Sequence, residues 1–180
     1  LMAVTRTLLR SVAADPQVAH CPAAILQRVN DQLVDENSEG MFVTLFLGRY
    51  DPATGLLTFA NAGHPPPYIV DPRGELRSLG LPTGTVLGVD KSFKMGKRVE
   101  SLGPGDALVL YTDGVTEARS LEHRELYTAA RLEVILKEWG DRSARGLCER
   151  VYAAVEAFQG GPGSEHQADD ITVLTLTRKR

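Results

Sequence analysis

The sequence predicts an α+β fold on antiparallel sheet, on three observations. Apolar residues recur at helical spacing at both ends of the chain, within 1–33 and 122–158. Between them, segments rich in Val, Phe, Leu and Tyr are separated by Asp-Pro turns. Strands and helices come in runs, without the βαβ alternation that a parallel sheet requires.

Each element has a local reason. Leu1, Val4, Leu8 and Val12, with Leu9 beside them, form one helical stripe, so 1–12 is read as a helix with one buried face. After the breaker stretch 14–20, Pro22 stands where a first-turn proline belongs, and Ile25, Val29 and Leu33 mark the buried face of a second helix ending near 37–40. The period then changes. Residues 41–50 and 56–60 read as a hairpin across the turn Asp51-Pro-Ala-Thr-Gly55, and Tyr68 to Val70, the turn at 71–74 and Leu76 onward continue the same meander. Residues 81–89 mix Pro82, Gly84 and Gly88 with apolar residues and read as a bent loop near the sheet. Residues 93–100 alternate loosely, and 107–111 is a near-continuous apolar run of the kind found in a central strand. Helices follow at 122–139, with Leu126, Ala130, Val134 and Leu136 facing inward, and at 143–158, with Leu147, Val151, Ala154 and Val155. A Gly-rich loop at 159–168 leads to a closing strand at 171–176.

Composition narrows the function. A chain of 180 residues, 43% hydrophobic, can bury one continuous core, so 1–180 is expected to be a single domain. The formal charge is −3 and no Lys/Arg block interrupts it, which argues against nucleic acid as a partner. Cys21 and Cys148 have no metal-ligand spacing and read as buried or indifferent thiols of a reducing compartment. No apolar run approaches the roughly 18 residues of a membrane span, and no signal segment opens the chain, so a cytoplasmic protein is expected. Because Leu1 already lies in a helical pattern, the chain is expected to be part of a longer polypeptide.

Few groups could carry chemistry. Asp113, in Tyr111-Thr-Asp-Gly-Val-Thr-Glu117, is delivered to a sheet rim by the apolar strand before it, and Gly114 lets backbone come close. Such a carboxylate suits a hard cation such as Mg²⁺ or Mn²⁺; equally, Asp-Gly makes an ordinary turn. Asp169 and Asp170 precede the last strand, where their mutual repulsion is relieved either by a cation or by solvent. Were the two strands neighbours, Asp113 and Asp169 would meet. His64, in Asn61-Ala-Gly-His-Pro-Pro-Pro67, could ligate metal or move protons, but a His in a turn before prolines reads better as hydrogen-bonded scaffold. The three prolines remove backbone donors and stiffen the exit from the hairpin. Neither a GxSxG elbow nor a Walker-type loop occurs.

Taken together, Asn61-Ala-Gly-His-Pro-Pro-Pro67, Leu81-Pro-x-Gly84 with Leu87-Gly-Val89, Gly105-Asp-x-Leu-Val-Leu-Tyr-Thr-Asp-Gly-Val-Thr-Glu117 and Asp169-Asp-Ile-Thr-Val173 resemble the ordered blocks of the PP2C-like phosphatases, in their SpoIIE/RsbU-type bacterial branch. The resemblance implies an antiparallel β-sandwich flanked by α-helices, of which this chain is the C-terminal two-thirds. It implies Asp113 and Asp169 as metal ligands, Asp170 and Gly114 as supporting residues, and Asn61, Gly63 and His64 as a structural motif. It further implies a two-metal Mn²⁺ or Mg²⁺ site at which metal-activated water, with no protein nucleophile, hydrolyses phosphoserine or phosphothreonine on a regulatory protein such as an anti-sigma-factor antagonist. A sensor domain could precede it in the full protein.

One family block, Gly-Asp-x-x-Gly-His-Gly, would fall just before Leu1 and is missing from the 180 residues, so the chain by itself is expected to bind metal weakly and turn over little. The competing reading is a non-catalytic phosphatase-like module that binds a partner or passes on a signal. Carboxylates kept at strand rims favour the enzyme.

Overall fold

The computed structural model describes residues 1–120, 125–138, 140–141, 143–161 and 170–179. In chain order the elements are α1 (Met2–Ala13), α2 (Pro22–Glu36), β1 (Leu45–Asp51), β2 (Leu56–Ala62), β3 (Tyr68–Val70), β4 (Leu76–Ser78), β5 (Arg98–Ser101), β6 (Ala107–Tyr111), α3 (Asp113–Thr116), α4 (Thr128–Lys137), α5 (Ala144–Phe158) and β7 (Val173–Thr177). They fall into two compact units, one of Leu1–His64 with Gly80–Ser101, the other of Pro65–Leu79 with Leu102–Arg180. Helices and wholly antiparallel sheets match the predicted α+β class. Among the described residues, no helix is long and apolar enough to cross a membrane.

The first unit is a three-stranded sheet, β1-β2-β5, with two helices. The hairpin pairs Leu45 with Ala62 through Asp51 with Leu56. Its turn is closed by Gly55, whose N–H donates to the Asp51 carbonyl at 2.8 Å and whose φ of +78° only glycine adopts without strain. Pro22 starts α2, where its missing N–H costs nothing, and α2 lays Leu26, Val29 and Leu33 against Ala60 and Ala62. Each such side chain stabilises the fold by about 1.5–3 kcal/mol. In α1 the stripe differs from expectation. Val4 is 44% exposed, and Thr5 takes the inward place beside Leu8, Leu9 and Val12. Thr5 tolerates burial because its hydroxyl donates to the Leu1 carbonyl at 3.1 Å.

The second unit holds the sheet β4-β3-β6-β7 with α3, α4 and α5. Here the expected single meander fails: β3 and β4 do not extend the β1-β2 hairpin, since β3 pairs with β6, Tyr68 opposite Val109. Pro65 to Pro67 lack the N–H groups a continuing ladder needs, which lets the chain leave one sheet before joining another. β6 is an interior strand as predicted. Its Ala107, Val109 and Tyr111 join a core with Leu132 and Leu136 of α4 and Leu147, Val151 and Val155 of α5. Within it the Tyr68 and Tyr111 rings stack 5.9 Å apart, and the Tyr68 hydroxyl donates to Glu133 at 2.9 Å. Burial, and then that hydrogen bond, push the Tyr68 phenol well above its ordinary range.

Two helical expectations need correction. The helix predicted from 122 begins at Thr128, because described residues before it bond elsewhere: Arg119 and Leu126 form an antiparallel bridge, Tyr127 N–H donates to the Ala118 carbonyl at 2.8 Å and Ser120 N–H to the Glu125 carbonyl at 2.9 Å. Thr128 then enters the helix at a φ of +68°. Its inward face is Leu132, Ile135 and Leu136; of the four residues predicted to face inward, Leu136 is buried as expected, while Leu126, Ala130 and Val134 are exposed. α5 is capped by Ser143, whose Oγ accepts from Gly146 N–H at 3.0 Å. Of the predicted loop 159–168, residues 162–168 lie outside the described residues, as do 122–124 and Trp139 of the predicted helix.

Candidate active site

β6 and β7 are hydrogen-bonded neighbours, Ala107 opposite Thr177 through Tyr111 opposite Val173. The pairing continues one residue past the strand ends through Thr112. Its N–H donates to the Thr172 carbonyl at 3.0 Å, its Oγ1 donates to the Asp170 carbonyl at 2.9 Å, and the same oxygen accepts from Thr172 N–H at 3.0 Å. A single side chain therefore clamps the segment that carries Asp170. Thr112→Val, which keeps the shape and removes the hydroxyl, should cost about 0.5–1.5 kcal/mol, since it removes two hydrogen bonds at an exposed rim where water can partly replace them. Amide hydrogen exchange should show faster exchange at Thr172 than in the parent.

Beyond Thr112 the chain turns at once into α3, a single helical turn that the sequence reads only as an Asp-Gly turn. The Asp113 carbonyl accepts from Glu117 N–H at 2.8 Å, and its Oδ1 accepts from Gly114 N–H at 3.1 Å. Gly114 is buried, and a Cβ there would lie 2.6 Å from the Asp170 carbonyl oxygen. That contact decides why the residue is glycine: two backbones meet where no side chain fits. Asp113 and Asp170 are exposed on either side of this contact.

Asp169, the second expected ligand, lies outside the described residues. Among the described residues, no group of three or more His, Cys, Asp or Glu is gathered as a metal cluster. The donors brought to this rim are oxygens, from Asp113 and Asp170, which fit Mg²⁺ or Mn²⁺ and disfavour a soft metal. They fit part of such a site. Thr112, which holds the arrangement together, gave no signal in the sequence beyond a hydroxyl between an apolar strand and an aspartate.

Asn61, Gly63 and His64 belong to the first unit. The Asn61 amide spans the turn, accepting from His64 N–H at 2.8 Å and donating to the His64 carbonyl at 2.8 Å. Gly63 has a φ of +74°, and a Cβ there would meet the Val86 side chain at 2.6 Å. Gly84 lies against the Asn61 carbonyl, where a Cβ would be 2.3 Å away. Two sequence blocks some twenty residues apart therefore interlock through glycines.

Comparison with known proteins agrees with this architecture. The SiaA-PP2C domain of Pseudomonas aeruginosa superposes with a TM-score of 0.76 at 23% identity, over 97% of this chain and 68% of that one. The Mn-presoaked phosphatase domain of the cell fate determinant SpoIIE from Bacillus subtilis gives 0.65 at 20% identity, over 98% and 72%. The fold is thus that of the PP2C-like phosphatase domains. Residues 1–179 match the family described as Stage II sporulation protein E (SpoIIE), and the chain belongs to it. The phosphoserine phosphatase RsbU of Bacillus subtilis is 27% identical over 169 residues, which is 91% of this chain and 47% of RsbU, so the chain spans about half of that relative.

Proposed function

We propose that this chain forms the catalytic region of a metal-dependent protein phosphatase that hydrolyses phosphoserine or phosphothreonine on a regulatory protein, of the anti-sigma-factor-antagonist type. The observation that carries this is the β6-β7 pairing, which sets the Asp113-Gly114 backbone directly against Asp170. Asp113 and Asp169 are the proposed ligands, Asp170 and Gly114 support them, and His64 stays outside the metal shell within its Asn61-bridged turn. A divalent Mn²⁺ or Mg²⁺ held there supplies Lewis-acid chemistry, acidifying water and neutralising phosphoryl charge. The chain's own part is positional. Thr112 fixes the register of the two rim segments, Gly114 allows their approach, and Asp113 places negative charge where a cation is wanted.

The test is hydrolysis of a phosphoserine peptide and of p-nitrophenyl phosphate, with and without Mn²⁺, by this chain and by the same chain preceded by a Gly-Asp-x-x-Gly-His-Gly block. The extended protein should turn over both substrates with Mn²⁺ and stop when EDTA is added, while the chain alone stays near background. Partner binding without turnover in either form would instead indicate a signalling module.

A further inference from the structure

The loop that leads into β5 carries a cluster of cations that nothing in the proposed chemistry uses. Residues 91–98, Lys-Ser-Phe-Lys-Met-Gly-Lys-Arg, hold four of the chain's 20 Lys and Arg and no acidic residue, although over the chain acidic residues outnumber basic ones, 23 to 20. Lys91 pairs with Asp35. Among the described residues, Lys94, Lys97 and Arg98 have no carboxylate partner, whereas Arg28, Arg73, Arg131, Lys137 and Arg145 each have one. All three are exposed, and beside them Phe93 is 47% exposed.

The loop is also firmly mounted. The buried Asn30 amide donates to the Asp90 carbonyl at 2.9 Å and accepts from Gly88 N–H at 2.9 Å, Met95 N–H donates to Gln27 Oε1 at 3.1 Å, and Gly96 N–H donates to the Thr83 carbonyl at 2.6 Å. Arg98 lies over the backbone of Gly80, where a Cβ would come within 2.0 Å of its guanidinium. A loop backbone held this way loses little further freedom on binding, which favours recognition. Protection of a sheet edge accounts for part of the pattern, since β5 is the outer strand of its sheet and Lys97 and Arg98 stand at its start. It does not account for Lys94 or for an aromatic ring left in water ahead of the strand.

We infer that the 93–98 loop is a docking surface for an acidic segment of a protein partner, and that Phe93 seats beside it. This rests on the proposed function for its occupant. Carboxylates and cations at a reaction rim recognise a phosphoryl group but not the protein bearing it, so selection of a phosphoprotein requires contacts elsewhere. Three exposed cations without a carboxylate partner, in the same short loop as an exposed aromatic side chain, fit carboxylates flanking an apolar residue. Nucleic acid fits less well, because affinity for a phosphate backbone grows with the number of cations and the chain as a whole is acidic.

The experiment is fluorescence anisotropy at low salt with labelled phosphoserine peptides of equal length, one flanked by Asp and Glu around a Leu, the other by Ser and Asn. Anionic phosphatidylserine vesicles and a single-stranded oligonucleotide are run in parallel. The acidic peptide should bind at least about tenfold tighter than the neutral one, and the Lys94→Ala/Lys97→Ala/Arg98→Ala variant should bring the two within about twofold. Phe93→Ala should weaken the acidic peptide separately, and circular dichroism should show both variants folded. Equal binding of the two peptides, an unchanged preference in the triple variant, or loop-dependent binding of vesicles or oligonucleotide without a peptide preference would each overturn the inference. Hydrolysis of p-nitrophenyl phosphate separates it from the phosphatase reading. In the extended protein the triple variant should hydrolyse this small substrate at the parent rate, whereas a parent that prefers the acidic peptide but hydrolyses nothing refutes the phosphatase and leaves the docking surface standing.

Discussion

Asp113→Asn is expected to lower Mn²⁺-dependent turnover in the extended protein at least about 100-fold, the scale on which loss of a charged ligand weakens a metal centre. The isosteric change isolates charge from structure. Asn keeps a side-chain oxygen that can accept from Gly114 N–H, the 3.1 Å hydrogen bond made by Oδ1, so α3 should form as before. Urea denaturation should therefore give a midpoint close to the parent's while Mn²⁺ affinity and activity fall together. Near-full activity in Asp113→Asn would mean that the rim of β6 is only a turn, and that any cation sits elsewhere.

Gly114→Ala is the second large effect, and it acts through packing. The backbone of Gly114 sits in a single helical turn, so glycine is not required there by a left-handed φ; it is required because a methyl group would stand 2.6 Å from the Asp170 carbonyl oxygen. Backbone cannot move aside as the end of a long side chain can, so the Thr112 clamp and the segment carrying Asp170 must shift. A loss of about 2–3 kcal/mol of stability is expected, with most of the activity lost as well. Gly40→Ala is the matched control. Its φ is +65° but nothing lies within 4 Å of a Cβ, so it should cost about 1 kcal/mol and leave activity alone. Equal effects of the two substitutions would show that close approach at Gly114 is not what orders the rim.

These contrasts mark what is legible in a sequence of this kind. Strands with strong local patterns were readable: the turn at Asp51 to Gly55 announces the β1-β2 hairpin, and the apolar run at Ala107 to Tyr111 announces an interior strand. Which strands become neighbours was not, because pairing between residues 62 to 70 positions apart (111 with 173 through 107 with 177) leaves no local mark; β6 and β7 could be hypothesised as partners only because each has an aspartate near one end. The change of sheet between Ala62 and Tyr68 had a signal, the three prolines, which read as stiffness and also permits a change of sheet. In α4 the spacing points to Leu126, Ala130, Val134 and Leu136, of which only Leu136 is buried; hydrogen bonds from Tyr127 to Ala118 and from Ser120 to Glu125 delay the helix, and its buried face is Leu132 and Leu136. At the site, Asp113 and Gly114 were visible as a motif. Thr112 was not, since its role depends on a carbonyl 58 residues away.

The most direct measurement is the position of Mn²⁺ itself, from anomalous diffraction at the manganese edge on crystals of the extended protein soaked in Mn²⁺. The expected result is an anomalous peak about 2.1 Å from an Asp113 carboxylate oxygen, with Asp169 in the same coordination shell and the His64 imidazole outside it. Manganese bound elsewhere, with the Asp113 carboxylate free of metal in a protein that still hydrolyses p-nitrophenyl phosphate, would contradict the assignment of the β6-β7 rim as the catalytic centre.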